Sequence, residues 1–309
     1  MRGQDSSHDL VLRRLGGGEV RATLDPLSPL LESFFEGYDR AFILPDEKED
    51  LAGFQACLAL NPSERAGQGE VVAVVFDPEG VRLAGLNLLA VDHGEQGQPR
   101  VSVALNYIYV EGAARGQGML RHCLSLVPAL AQWALGLEAE PHSVVIFIEQ
   151  NDPLRMTAQA YREDTAHSGL DQLARLAIWD RVGARLVDFD YVQPALSGGQ
   201  SPDEGLAYAV IDWPSDALPC AFLHRHLERF FSISVLKGQP ETGEAVADRQ
   251  LTELAARDQP ISLLSIGGAL DALARDPSSH GASSLRQVAR GEAADAQCQD
   301  GQVSSSREG

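Results

Sequence analysis

A chain of 309 residues with 44% hydrophobic and 22% charged side chains can build a sizeable core, which excludes disorder throughout. Its 44 acidic residues outweigh 25 Lys and Arg, and the formal charge of −19 repels nucleic-acid phosphates and anionic membranes while favouring cationic ligands. No basic patch interrupts that field, no apolar run reaches the ~18 residues of a membrane span, and the N-terminus lacks a signal-peptide core. Cys57, Cys123, Cys220 and Cys298 lie far apart with no CxxC spacing, which suits a reducing compartment. The expectation is a cytoplasmic protein with no nucleic-acid or membrane partner and no metal site.

Residues 1 to 10 are polar and read as a flexible lead. Residues 26–43 place Leu30, Leu31, Phe34, Phe35 and Tyr38 at helical spacing, and 46–60 read as a second helix opening on the acidic run DEKED. Residues 71–76 and 83–91 are apolar and β-branched, and Asp77-Pro78-Glu79-Gly80 between them makes a hairpin. Then come a strand over 101–110, a glycine turn, and a helix over 119–135 with Leu120, Leu124, Val127 and Leu130 on one face. Further on, 144–148 predict a strand, 170–181 a helix, and 184–192 and 206–211 two more strands. Residues 217–236 predict an amphipathic helix. From Asp276 onward large apolar side chains almost vanish, a composition that predicts a disordered tail over 276–309. This order implies an α/β or α+β fold with a mixed sheet flanked by helices, its main domain at 11–215 and a helical extension packing on it at 216–275.

The step from Val110 to Gly118, Val-Glu-Gly-Ala-Ala-Arg-Gly-Gln-Gly, aims main-chain N–H groups from a helix start, an arrangement that binds phosphate. Gly116 and Gly118 remove Cβ atoms where a ligand would approach, and Arg115 adds a matching charge. Neither the Gly-Lys-Ser/Thr of a P-loop nor the three-glycine dinucleotide fingerprint is present. A tight turn with packing glycines and a solvated Arg fits the same residues.

Arg115-Gly116-Gln117-Gly118-Met119-Leu120 resembles the Q/R-x-x-G-x-G/A motif of the GNAT N-acetyltransferase superfamily. Residues 175–184, RLAIWDRVGA, resemble that family's late helix-and-turn signature, with Trp179 where a Tyr is usual. Together the matches span residues 70 to 192. The resemblance implies a GNAT-like central sheet and acetyl-CoA as co-substrate, its pyrophosphate on the amides around Arg115, Gly116, Gln117, Gly118, Met119 and Leu120. Leu120 departs from the small residue of the motif. The resemblance also implies that the central strand bulges at Val110, freeing main-chain groups for the pantetheine arm, and that Asn151 contacts that arm.

Transfer from a thioester to an amine needs a neutral nucleophile, an oxyanion donor and a proton for the thiolate. Trp179 cannot supply that proton, since an indole N–H is no useful acid, and reads as a pocket wall. Tyr161 and Tyr191 are the phenols that substitute, and a thiolate also leaves unaided near neutral pH. Glu149, at the end of a strand, is the first choice of base, with Glu111 the alternative. Asn106, Tyr107 and Tyr109 are candidates to line the acceptor pocket. Residues 152–169 form a long connection on the acceptor side. The leading expectation is an acetyltransferase acting on a primary amine of a small molecule or protein; the alternative is a non-catalytic acyl-CoA-binding sensor or interaction module of the same fold, or a transferase of longer acyl groups.

Overall fold

The computed structural model describes residues 3–5, 8–13, 18–43, 48–95, 97–137, 143–197, 199–239, 244–275 and 283–291. The first helix, α1 (Pro29–Ala41), starts where the Ser28 side chain accepts from the Leu30 N–H and Pro29 opens the first turn, both ordinary start signals. α2 (Leu51–Ala59) starts at Asp50, whose carboxylate accepts from the Gly53 N–H at 2.7 Å. The acidic run therefore precedes this helix and caps it; its first two residues, 46 and 47, lie outside the described residues.

Among the described residues eleven strands form one sheet. They are β1 (Gly3–Asp5), β2 (Asp9–Arg13), β3 (Glu19–Thr23), β4 (Gln68–Phe76), β5 (Arg82–Asp92), β6 (Val101–Val110), β7 (Val144–Asn151), β8 (Arg185–Val187), β9 (Leu206–Ile211), β10 (Ala217–Leu218) and β11 (Ile261–Ser265). Their order across the sheet is β1-β2-β3-β4-β5-β6-β7-β9-β8-β11-β10. β6 and β7 run parallel, and the other strand pairings among the described residues are antiparallel. This is the mixed sheet flanked by helices that the element order predicts.

Strand alternation sorts the core into two layers. Val71, Ala73, Val75, Val101 and Val103 pack with α3 (Met119–Ala134), α5 (Gln172–Asp180), α8 (Ile266–Arg275) and α9 (Leu285–Arg290). On the other face, Val72, Val74 and Phe76 meet Leu31, Phe34 and Tyr38 of α1 and Phe54 of α2. Farther along that face Leu89, Val91 and Phe147 meet α6 (Cys220–Phe230), with Ala247 and Leu254 of α7 (Glu244–Ala256) in the same cluster. Phe34 and Tyr38 are fully buried, each worth about 2 kcal/mol. α1 approaches the sheet closely because Gly37 and Gly85 admit the Tyr109 ring, which a Cβ at either glycine would meet at 2.4 or 2.5 Å.

Several expectations are corrected. Gly3–Asp5 and Asp9–Arg13 are sheet strands, so part of the lead over 1–10 is ordered by pairing. The connection over 152–169 contains a helix, α4 (Ala158–Ser168), capped by Thr157 and closed by Gly169 at φ 66°. It carries no apolar stripe, and among its described residues only Asp164 is buried, so periodicity could not reveal it. The strand expected over 184–192 ends at Val187. The extension over 216–275 is not purely helical: β11 pairs with β8 and β10, joining it to the main sheet. Within the expected tail, Leu285 and Val288 of α9 are buried in the core; residues 276–282 and 292–309 lie outside the described residues.

Candidate functional site

The site is built on a fork. β6 and β7 pair only from Val101 to Ala104 and from Val144 to Phe147; beyond, β6 stays with β5 to Val110 while β7 stays with β9 to Asn151. A bulge marks the parting, because Leu89 faces Ala104 whereas Asn87 faces Tyr107. β6 thus uses one residue more than β5, which bends a strand and increases its twist. The bulge lies at Leu105–Asn106, not at Val110, whose pairing with Ala84 is regular.

On the α3 face the chain leaves Val110 through a short 3-10 turn, Gly112–Ala114, and enters α3 at Gly118. Gly116 and Gly118 sit at φ 73° and 76°, where an L side chain is strained. A Cβ on either would meet no heavy atom within 4 Å, so the space before the turn is open. No side chain caps α3, and the first N–H groups of a helix have no partner within it. Met119 is buried and Leu120 packs partly buried against the core; the Leu120 side chain therefore does not crowd the turn. Arg115 is turned back on the protein: Nε donates to the Val110 carbonyl at 3.1 Å and Nη1 to that of Ser168 at 2.7 Å. Gln117 donates to the Ala113 carbonyl at 2.8 Å. Both side chains hold the shape of the turn and leave the main chain to face outward.

On the opposite face a small, partly open cleft lies beside the fork, lined by Glu49, Glu70, Asn106, Tyr107, Glu149 and Ser234 among others. The bulge places Asn106 and Tyr107 together on this wall. At its base Glu70, 1% exposed, accepts from Asn87 Nδ2 at 2.6 Å, Asn106 Nδ2 at 3.0 Å and Ser234 Oγ at 3.1 Å. Asn61 pins the Glu70 main chain, accepting from its N–H at 2.6 Å and donating to its carbonyl at 2.9 Å. Burial pushes the Glu70 carboxyl up to about 7, against the pull of the Asn87, Ser234 and Asn106 hydrogen bonds. Ser234 reaches the cleft because Phe231–Val235 after α6 forms a π-helical turn, closed by Leu236 N–H on the Phe231 carbonyl. At the rim Lys237 pairs with Glu49 at 2.7 Å.

Of the predicted acid–base residues, Glu149 lines this cleft, and Tyr191 donates to Glu149 Oε1. Tyr191 is 2% exposed, and burial, followed by the Glu149 charge, raises its phenol well above the ordinary range. It holds its proton and supports the carboxylate. Tyr161 stands apart on α4 and donates to Asp171, the cap of α5, at 2.5 Å. Burial and that hydrogen bond push its phenol up to about 12, so its visible role is to join two helices. Glu111 is held by Arg40 and Arg82, each at 2.9 Å. Trp179 is core on the α3 face rather than a pocket wall. Asn151 ends β7, and alternation puts it on the Glu149 face. Tyr109 is anchored in the α1 layer, donating to the Phe34 carbonyl at 3.0 Å. Sequence reading missed Glu70, Asn87 and Ser234. A carboxylate and an amide inside otherwise apolar strands were the signal available.

No protein-family model matches the chain, and no curated protein matches it. Solved structures are similar to it. One is a GCN5-related N-acetyltransferase from Kribbella flavida, 17% identical, covering 64% of this chain and 98% of its own, with a TM-score of 0.31. Another is a spermidine N-acetyltransferase from Vibrio cholerae, 11% identical over 64% of this chain and 94% of its own, TM-score 0.35. A third is a Salmonella typhimurium protein described provisionally as an acetyltransferase and solved with acetyl-CoA, 18% identical over 61% and 91%, TM-score 0.32. At TM-scores of this size the likeness carries no argument about activity, acceptor or site residues.

Proposed function

We propose that the chain is a cytoplasmic acyl-CoA-dependent N-acetyltransferase that moves an acetyl group from acetyl-CoA to a primary amine. The observation that carries this reading is the fork: two parallel strands part between an open, uncapped helix start on one face and a polar cleft on the other. A thioester lying in the fork would have its anionic end at the turn and its acyl carbon beside the cleft.

The turn fits a pyrophosphate by its chemistry. Main-chain N–H groups of Gly116, Gln117, Gly118, Met119 and Leu120 would hold it at the positive end of α3, with Arg115 adding charge from behind. Asn151 and the main chain of β6 up to Val110 would flank the arm. Acetyl-CoA supplies the activated acyl group. Glu149, backed by the Tyr191 hydroxyl, would hold a proton or orient an amine, and departure of the thiolate near its ordinary pKa of about 8.5 needs no dedicated acid.

Calorimetric titration of the full-length protein with acetyl-CoA, followed by thiol release over an amine panel, tests the reading. Saturable binding with amine-dependent release is expected; no binding ends it. Binding without release from any amine would favour the second reading, a non-catalytic acyl-CoA sensor. That reading draws on Trp179, which fills the usual Tyr position of the resembling signature with a core side chain.

A further inference from the structure

The polar network at the base of the cleft is short of hydrogen-bond donors in a way that specifies what enters. Asn106 Nδ2 is committed to three acceptors, Glu70 at 3.0 Å, Ser234 at 3.1 Å and Asn87 at 3.2 Å; this fixes the orientation of the amide. Its Oδ1 is then buried with no hydrogen-bond partner among the described residues. A buried acceptor left unmade costs about 1–3 kcal/mol. Beside it, Glu70 takes three donors, and a carboxylate has about four lone-pair sites. Asn106 Oδ1 thus lacks a donor altogether among the described residues, and Glu70 beside it keeps about one lone-pair site beyond its three donors.

The charges around the network point the same way. Glu49 from the segment before α2 and Cys57 from α2 surround Glu70, with Tyr107 from β6, Glu149 from β7 and Lys237 from beyond the π turn. Burial raises the Cys57 thiol far above its ordinary value, so it adds no charge near neutral pH. Three carboxylates thus stand against one ammonium, and that ammonium is already paired with Glu49.

We infer that Glu70 and Asn106, braced by Asn87 and Ser234, form the ammonium-binding end of the acceptor pocket, and that Glu70 takes the proton the amine must lose. The inference rests on the transferase reading above and names its acceptor class: a primary amine that arrives as its cation and has no bulk beyond the nitrogen. One ammonium N–H meets Asn106 Oδ1 and another meets Glu70. Transfer of that second proton leaves a neutral amine and a protonated Glu70. The nitrogen lone pair then attacks the acyl thioester carbon, the C–N bond forms, the C–S bond breaks with its electrons going to sulfur, and the remaining surplus nitrogen proton neutralises the thiolate. Glu70 returns its proton to water. The raised carboxyl of Glu70 suits a base working near neutral pH.

Isotope-labelled full-length protein tests this by NMR, with 1,4-diaminobutane as the cationic probe and 1,4-butanediol as its neutral counterpart. The diamine is expected to move the Asn106 amide and Glu70 carboxyl signals, and the diol to leave both in place. Glu70→Gln keeps an acceptor for Asn87 and Asn106 and a donor for Ser234, so it should fold; it should weaken diamine binding at least about tenfold. Asn106→Ala should weaken it as well, and both variants should bind acetyl-CoA within about twofold of the parent. Thiol release with the diamine should have a rising pH limb that follows the Glu70 carboxyl signal and disappears in Glu70→Gln. Signals that ignore the diamine, or undiminished diamine binding by Glu70→Gln, would overturn the pocket. Diamine binding without release, or a pH limb unchanged in Glu70→Gln, would overturn the proton transfer. Failure of the parent to bind acetyl-CoA would instead remove the transferase reading, while the diamine titration still judges the cleft.

Discussion

The two faces of the sheet at the fork are built from different material. On the α3 face the proposed phosphate site is main chain: two glycines at positive φ and an uncapped helix start within three residues. On the other face the polar network is side chain only, and Glu70, Asn87, Asn106 and Ser234 come from β4, β5, β6 and the π turn. A main-chain site must be written as a compact motif, because the local dihedrals are the site. A side-chain site can be gathered from anywhere that the topology permits. The first kind is robust to what surrounds it; the second depends on burial and register at every member.

The sharpest way to break this contrast is Gly118→Glu. The added side chain enters open space but takes a left-handed φ of 76°, so the chain should keep its circular dichroism at a cost of about 1 kcal/mol in urea stability. A carboxylate at the helix start should nevertheless reduce acetyl-CoA affinity by at least about a thousandfold, about 4 kcal/mol. Unchanged affinity in calorimetry would mean that the turn serves packing alone.

Next in size is the stability of the opposite face against pH. Glu70 is fully buried and its carboxyl rises from an ordinary 4.5 to about 7, so the folded state holds a proton that the unfolded chain releases. Its contribution is complete below about 4.5, falls as pH rises toward 7, and is gone above it. At about 1.36 kcal/mol per pH unit the loss is about 3 kcal/mol. Urea unfolding at pH 5 and pH 8 should show that fall in the parent relative to Glu70→Gln; parallel curves would place the carboxylate in water.

Gly37→Ala comes third. Its Cβ would lie 2.4 Å from the Tyr109 ring, and overpacking of this kind costs about 2 kcal/mol, read as a lower urea midpoint. The smallest effect is expected for Arg115→Ala. Because its guanidinium is spent on two carbonyls, acetyl-CoA affinity should fall by less than about tenfold, under about 1.4 kcal/mol. A larger loss would mean that Arg115 swings outward to the ligand.

The same contrast explains what could be read in advance. The β4–β5 hairpin was legible because Asp77 accepts from the Glu79 and Val81 N–H groups and Gly80 takes φ 82°, chemistry that those residue types announce. β6, its turn and α3 were legible for like reasons. α4 was not, since a helix held by Asp164 on Arg175 and Gln172 has no apolar period. β10 and β11, two and five residues long, are defined by their partners rather than by their own composition. At the site Glu149 was found from its place at a strand end. Its pairing with Tyr191, 42 residues away, depends on the path of the chain after β8, and Glu70 could be recognised only once its three donors stood around it.

The π turn at Phe231–Val235 has one further consequence. A π turn is an α-helix carrying a single extra residue, and each residue in a helix turns the chain by about 100°. Deleting one position between Phe231 and Val235 would restore the regular helix and swing Ser234 out of the cleft, while α6 upstream kept its seat on the sheet. The floor of the cleft thus hangs on one residue of chain length: its deletion would take the Ser234 hydroxyl from Glu70 and Asn106 without rebuilding the sheet that carries them.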